Sequence, residues 1–262
     1  MRKLFTIILI ISFVLISCEE VIDINLNDSS PSLVAEANIR LSQPCIVKLS
    51  YTSNYFDTLE SVYEENAVIT VFDSEHREDL LTYQGNGLYS GEIVHGLPGH
   101  TYTLTISVGN KEYQARSTLY SSPDLVELTY EKLDIPHYTE ETLYTVKSVI
   151  VDDIFNENYY LFRYYRNGDL LDDYYSTYSD RFLDHDTIVY NDFRLSFYQG
   201  DTVKVELFSI DKEVYNYFNL MNDMLFSAMT SSTPFNPESN FSNGLIGYFM
   251  AASTDNESII IR

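Results

Sequence analysis

Apolar and polar residues alternate along most of the chain from residue 31 onward, which is the pattern of half-buried β-strands. The clearest case is residues 101–108, where Tyr102, Leu104 and Ile106 alternate with threonine and serine. Runs rich in glycine and asparagine separate these segments, because both residues tolerate a positive φ. Up to residue 120 the pattern predicts strands at residues 32–39, 45–51, 67–73, 80–83, 88–94, 101–108 and 111–118. So many short strands, spaced by turns, favour a β-sandwich over residues 31–120.

A break at Ser121, Ser122 and Pro123 separates this region from a second one that is richer in tyrosine and acidic residues. There the alternation predicts strands at residues 125–133, 143–151, 159–166, 169–178, 187–197, 201–210, 245–252 and 258–262. Asn167 and Gly168 separate two of these runs and form the strongest short signal for a β-hairpin. The sequence therefore predicts a second, β-rich domain over residues 121–262.

One segment of this second domain changes from a two-residue period to a helical one. Asp211 is a suitable N-cap for a helix over residues 212–229. Apolar residues then recur at three- and four-residue spacing, at Val214, Tyr217, Phe218, Met221, Met224, Leu225 and Ala228. Such a stripe is more typical of contact with a core than of a cofactor or partner face.

The first residues have the composition of a secretory leader. Arg2 and Lys3 precede a mostly apolar run over residues 4–16, which is short for a bilayer of about 30 Å. The run ends in Leu-Ile-Ser-Cys, which resembles the lipobox of bacterial lipoproteins. That resemblance implies removal of residues 1–17 and acylation of Cys18. Several acyl chains would anchor the protein stably in a membrane.

Residues 18–30 are acidic and polar, and we interpret them as a lipidated tether. Glu19 and Glu20 directly follow Cys18, which resembles the signal that exports Bacteroidota lipoproteins to the surface of the outer membrane. Loss of the leader lowers the basic residues from 16 to 14 against 39 acidic ones, a net charge of −25. So acidic a protein is repelled by phosphate backbones, which argues against nucleic-acid binding.

Few residues suggest chemistry. With Cys18 assigned to acylation, Cys45 is the only other cysteine, and its alternating surroundings predict a buried strand residue. The five histidines lack the spacing of a zinc site, and phosphate-loop and serine-hydrolase motifs are missing. We therefore expect no metal, no cofactor and no catalytic residues. The acidic clusters are interpreted as solvated or strand-end carboxylates: Asp152–Asp153, Asp172–Asp173 and Asp184–His185–Asp186.

The hairpin around Asn167 and Gly168 concentrates tyrosines. Because neighbouring strand residues face opposite sides of a sheet, one tyrosine of each pair is expected to pack inward and the other outward. An outward set would form an aromatic platform for a glycan or a protein partner. The alternative is cross-strand pairing that only stabilises the hairpin. The candidate platform residues are Tyr159, Tyr160, Tyr164, Tyr165, Tyr174, Tyr175 and Tyr178.

Three blocks resemble the DUF4249 family of Bacteroidota outer-membrane lipoproteins, a domain of unknown function. They are CEEVIDINL to VKLSYTSNYF, GLYSG to GLPGHTYTLTISVGNKEYQARSTL, and NPESNFSNGLIGYFMAAS. The resemblance implies an N-terminal sandwich of immunoglobulin-like or transthyretin-like style and a β-rich C-terminal part with one amphipathic helix. It also implies genes beside those of TonB-dependent outer-membrane transporters. The family has no established catalytic residues, so only Cys18 is carried over as a functional position.

Together these features predict a non-enzymatic, lipid-anchored protein of the outer membrane that is exposed at the cell surface. Its expected partners are a membrane, through Cys18, a TonB-dependent transporter, and a glycan or peptide ligand. Two alternatives stay open. One is a surface glycoside hydrolase that uses two of the clustered carboxylates, and the other is a structural envelope protein or adhesin.

Overall fold

The computed structural model describes residues 31–53, 62–121, 123–134, 142–152, 156–181, 186–230 and 236–262. For residues 172–173 and 226–230 it describes the backbone alone. The leader, Cys18 and the acidic tether, for which the sequence makes its most specific predictions, lie outside the described residues.

The first half contains eight strands, close to the predicted positions. The predicted run at 80–83 is divided into two strands on either side of Leu81, which is buried. The strands are β1 (Leu33–Arg40), β2 (Pro44–Tyr51), β3 (Val68–Phe72), β4 (Glu78–Leu80), β5 (Thr82–Gly85), β6 (Leu88–His95), β7 (Thr101–Val108) and β8 (Lys111–Thr118).

The second half adds eight strands and one helix. The predicted run at 187–197 is divided by a turn at Asp192–Leu195, where the Asp192 carbonyl accepts the Leu195 N–H. The elements are β9 (Asp124–Lys132), β10 (Leu143–Val151), β11 (Tyr159–Arg166), β12 (Asp169–Ser179), β13 (Thr187–Asn191), β14 (Phe197–Tyr198), β15 (Thr202–Ile210), α1 (Lys212–Thr230) and β16 (Ile246–Ile260). The prediction of a mainly β protein with a single amphipathic helix in this half is confirmed.

The last strand joins the two halves of the chain. Val34–Arg40 of β1 pair in parallel with Ile246–Ala252, and β15 pairs in antiparallel with the rest of β16. This produces one eight-stranded sheet in the order β12-β11-β15-β16-β1-β2-β6-β5. Residues 31–262 consequently form one compact unit. The sequence predicted a domain boundary near residue 121 and two strands where β16 runs unbroken. The polar stretch Thr254–Glu257 was not assigned to either predicted strand, but its backbone pairs with β15.

Gly247 is required where β16 lies against β1. Its φ is +122°, and an added Cβ would lie 1.9 Å from the Ala35 carbonyl oxygen. Since real Cβ atoms essentially never come within 3.0 Å of such an atom, only glycine fits here. The most specific block of the family resemblance thus contains the residue that lets the two halves share a sheet.

The N-terminal half of the large sheet is covered on one face by a second sheet. The second sheet, in the order β4-β3-β7-β8, packs its buried residues against those of β1, β2 and β6. The resulting core includes Ile39, Val47, Leu104, Ile106 and Phe249, each fully buried. The predicted sandwich is therefore present, and β16 contributes to its core.

The other half of the large sheet is covered on both faces. On one face, Val203, Val205 and Leu207 of β15 pack against the sheet formed by β9, β10, β13 and β14. On the other face, Phe208 and Ile210 pack against α1. The strand alternation of β15 thus places side chains in two separate cores.

The helix begins as predicted. The Val214 N–H donates to Asp211 Oδ1 over 2.9 Å, which is the N-cap hydrogen bond. Val214, Tyr217 and Phe218 of the apolar stripe are buried in the core beneath α1, and Met221 packs against them. Leu225 is exposed, and the side chain of Ala228 lies outside the described residues. The interpretation of the stripe as a core contact is confirmed for its first two turns. No helix in the described ranges has the length and apolar character needed to cross a bilayer.

Asparagine side chains complete hydrogen bonds at two points where strands lack a neighbour. On the edge strand β12, Asn222 of α1 accepts from the Tyr175 N–H (3.0 Å) and donates to the Tyr175 carbonyl (2.7 Å). Asn240 does the same for Phe249, at 2.9 and 2.8 Å. These amides take the place of a strand and protect exposed edges from pairing with other chains.

Candidate functional site

The tyrosine hairpin lies between two cores rather than beside solvent. Tyr160 and Tyr164 belong to the core under the small sheet, while Tyr159 belongs to the core under α1. The strand alternation is as expected, but both faces of the sheet are covered here. All three tyrosines are therefore buried.

The remaining candidate tyrosines are partly buried and already in contact. Tyr175 packs on Phe218 with ring centroids 4.8 Å apart, and Tyr178 packs on Tyr190 at 5.4 Å. The Tyr165 hydroxyl donates to Glu206 over 2.9 Å, and the Arg194 guanidinium lies 5.1 Å from the Tyr174 ring centroid. These contacts hold the hairpin tyrosines against the neighbouring parts of the fold. A binding role for these residues stays a prediction.

Burial also keeps the hairpin hydroxyls neutral. It raises the pKa of Tyr159 to about 12, with Glu157 adding to the shift. It raises the pKa of Tyr164 well above its ordinary value. At physiological pH these phenols are hydrogen-bond donors and carry no charge.

A cleft lies beside the hairpin, where the connection between β8 and β9 passes the ends of β10 and β11. We call it the linker cleft; it has a volume of about 380 Å³, within the range for small-ligand pockets. Its wall combines one exposed aromatic ring with amides, carboxylates and hydroxyls. It is lined by Tyr120, Ser121, Pro123, Val151, Asp152, Asn156, Glu157, Asn158, Tyr160 and Ser209.

Asn158 organises the polar side of the linker cleft. Its amide nitrogen donates to Asp152 Oδ1 at 2.9 Å and to Asp180 Oδ2 at 3.2 Å. Its backbone N–H donates to Asp180 Oδ1 at 2.7 Å. Two carboxylates distant in sequence are thereby held on one side chain, close to the cleft wall.

The electrostatics of the linker cleft favour ligands that donate hydrogen bonds. Burial, and then the charges of Asp211 and Glu213, raises the pKa of the Tyr120 hydroxyl. The Arg181 guanidinium faces Glu157 of the cleft wall at 3.7 Å. Carboxylate and amide oxygens accept from hydroxyl groups, whereas they repel anions. The cleft chemistry therefore suits a polyhydroxylated molecule better than a phosphate.

The acidic clusters predicted from sequence are only partly described. The Asp152 N–H donates to the Asp186 carbonyl over 2.8 Å, so two of the clusters meet. Asp153, Asp184 and His185 lie outside the described residues, as do the side chains of Asp172 and Asp173. Within the described part of the chain no group of three or more His, Cys, Asp or Glu residues could hold a metal ion.

Cys45 has the environment predicted from its strand pattern. It is a free cysteine in β2 with no solvent exposure. Burial, and then the charge of Asp79, raises the pKa of its thiol well above the ordinary value. A thiol in this state is a poor nucleophile, so the interpretation as a core residue is confirmed.

These features define a mainly β protein with a polar cleft between its linker and its tyrosine hairpin. Residues 19–258 match the family described as Domain of unknown function (DUF4249), and the chain belongs to that family. No curated protein matches the chain. The match starts at the residue after Cys18, and the family resemblance inferred from three sequence blocks is confirmed.

Sequence reasoning singled out two residues of the linker cleft, Tyr160 and Asp152, and assigned each to a different feature. Tyr120, Asn158 and Ser209 were missed because they come from separate connections and strands. The only local signal was the break at Ser121–Pro123, which marks a connection but not a binding site.

Proposed function

We propose that the protein is a lipid-anchored, non-enzymatic binding protein of the outer membrane that captures a glycan in the linker cleft. Cys18 would carry the anchor. A TonB-dependent transporter is the proposed partner to which the ligand is passed. Confining the protein to the membrane surface would keep the captured ligand near the transporter.

The observation that carries this proposal is the composition of the linker cleft. Tyr120 has 46% of its surface exposed and offers a ring on which a sugar can stack. Asp152 and Asn158 supply oxygen acceptors in the wall of the cleft, which also contains apolar Val151. A sugar ring has an apolar face and a rim of hydroxyl groups. The apolar face would stack on the Tyr120 ring, and the hydroxyl groups would donate hydrogen bonds to the oxygens of the cleft wall.

A second candidate is a glycoside hydrolase, since Asp152 and Asp180 meet at one amide. Glycosidases need two carboxyl groups held about 5 to 10 Å apart, one of them protonated. Here both carboxylates accept hydrogen bonds from Asn158. Both carboxylates are therefore used to hold the Asn158 side chain, an arrangement that is suited to shaping a binding site more than to acid catalysis.

Binding of neutral hexasaccharides of glucose, xylose and mannose, measured by calorimetry, tests the proposal. We expect at least one to bind, and Tyr120→Ala to weaken that binding about tenfold, equivalent to about 1.4 kcal/mol. The matched control is Tyr198→Ala, whose side chain is 39% exposed and outside the cleft.

Equal binding by wild type and Tyr120→Ala, or no binding by wild type, would contradict the proposal. Release of shorter sugars by wild type during the titration would favour the hydrolase, and Asp152→Asn should then abolish that release.

A further inference from the structure

Two arginines from distant parts of the sequence converge on one phenylalanine of the large sheet. The Arg40 guanidinium, from β1, lies 5.1 Å from the centroid of the Phe208 ring. The Arg163 guanidinium, from β11, lies 5.5 Å from the same centroid. We call this group the arginine pair. Arg40 can approach Phe208 because β16, which lies between β1 and β15, has the small residue Ala252 opposite Arg40.

Neither guanidinium of the arginine pair has an anionic partner in the described part of the chain. No carboxylate there lies within salt-bridge distance of Arg40 or Arg163, and Arg40 Nε is buried without a hydrogen-bond partner. Glu206 faces the pair from β15, but it is already bonded to Lys204 Nζ at 2.7 Å and to the Tyr165 hydroxyl at 2.9 Å. The guanidinium N–H donors of Arg40 and Arg163 therefore have no carboxylate partner among the described residues.

This arrangement is unfavourable in the absence of a ligand. Burial, and then the charge of Arg163, lowers the pKa of Arg40 below its ordinary value. The chain has 39 acidic and 16 basic residues, so carboxylates that could neutralise two arginines are abundant, yet none in the described residues lies within salt-bridge distance of this pair. The charge of Glu206 acts in the opposite direction but does not outweigh burial and Arg163, so a bound anion would relieve a cost that this site carries.

We propose that Arg40 and Arg163 together bind an oxyanion group, phosphate or carboxylate, of a ligand. Each guanidinium presents a planar fork of N–H donors that matches either oxyanion in a bidentate manner. The Phe208 ring lies within cation–π distance of both guanidiniums and so helps to hold them next to each other. Lys204 adds a third positive charge on the neighbouring strand, while Glu206 and Glu36 limit the net charge of the site.

This site is distinct from the linker cleft, and the inference does not depend on the proposed function. The cleft is rich in carboxylates and suits hydroxyl donors, whereas the arginine pair requires a negative ligand. A failure to bind oxyanions would therefore leave the proposed glycan site unaffected. A failure to bind glycans would likewise leave the inference about the arginine pair unaffected.

Calorimetry and thermal unfolding with inorganic phosphate and with acetate test the inference. We expect at least one anion to bind and to raise the Tm of the wild-type protein, because a ligand that binds only the folded state stabilises it. Arg163→Gln should weaken binding at least tenfold and remove the increase in Tm. Arg40→Lys, which keeps the charge but loses the fork, should also weaken binding.

The matched control is Arg116→Gln, an exposed arginine of β8 whose loss should leave binding unchanged. Preference for phosphate would identify a phosphoryl ligand, and preference for acetate a carboxylate ligand. An anion effect that survives in both Arg163→Gln and Arg40→Lys would overturn the inference, as would no binding of either anion to wild type.

Discussion

Replacing Gly247 with alanine is expected to lower the free energy of unfolding by at least about 3 kcal/mol, enough to unfold a marginally stable protein. The added Cβ would lie 1.9 Å from the Ala35 carbonyl oxygen, which belongs to the backbone and cannot rotate away. The positive φ adds a further cost of about 1–2 kcal/mol for any residue with a side chain. Since β16 pairs with β1 and β15, the two halves of the large sheet would be forced apart. Urea denaturation followed by circular dichroism measures the loss.

Gly168→Ala is the matched control. Gly168 also has a positive φ, +97°, but an added Cβ would meet nothing within 4 Å. We expect this variant to lose only the conformational part, about 1–2 kcal/mol. Equal losses in the two variants would mean that the close approach of β16 to β1 is not what requires glycine at position 247.

Asp211→Asn is expected to remove a pH-dependent part of the stability that amounts to about 3 kcal/mol at most. Asp211 is buried, and its carboxylate accepts from the Ser117 hydroxyl and from the Val214 N–H. Burial dominates and raises its pKa from 3.8 to about 6. The folded protein therefore binds more protons than the unfolded chain between these values, so this group makes stability fall as pH rises from about 4 to 6.

Other carboxylates act in the opposite direction at lower pH. Arginine or lysine partners lower the pKa of Asp73, Asp192 and Glu206 despite their burial. Their contribution is present above the ordinary carboxyl pKa and is lost as the solution becomes more acidic. The window between pH 4.5 and pH 7 consequently isolates Asp211.

Urea denaturation of wild type and Asp211→Asn at pH 4.5 and pH 7 measures the effect. Asparagine is also a good N-cap and resembles the protonated acid, so the variant should gain stability relative to wild type at the higher pH. A stability difference that is the same at both pH values would contradict a raised pKa for Asp211.

Local features of the fold could be predicted from the sequence because they depend on neighbouring residues. The turn at Asn167 and Gly168 follows from their tolerance of positive φ, and both residues adopt it. The helix start at Asp211 follows from a side chain three residues before the N–H that it caps. Strands such as β7 follow from a regular two-residue period.

Features that depend on distant pairing could not be predicted. The polar residues of β16 were left outside the predicted strands, yet their backbone pairs with β15, which a local pattern does not reveal. The hairpin tyrosines were expected to alternate between core and solvent, but Tyr159, Tyr160 and Tyr164 alternate between two cores. A period of two reports that neighbouring residues face opposite sides, not what covers each side.

The candidate sites were hidden for the same reason. Tyr120 and Asn158 are separated by 38 positions, and Arg40 and Arg163 by 123, so no motif of fixed spacing includes them. The linker cleft and the arginine pair exist only because β16 closes the two halves into one sheet. Asp152 was noted as part of an acidic cluster, but the acidic residues of the sequence are too numerous to pair it with Asp180.

Attachment through Cys18 is the claim on which the proposed function most depends, and intact-mass spectrometry of the protein extracted from native membranes with mild detergent tests it most directly. We predict a mass that corresponds to a chain beginning at Cys18 and carrying acyl chains. A transporter subunit in the same extract would support the proposed partner. A mass that retains residues 1–17, or a Cys18 with an unmodified thiol, would contradict the account.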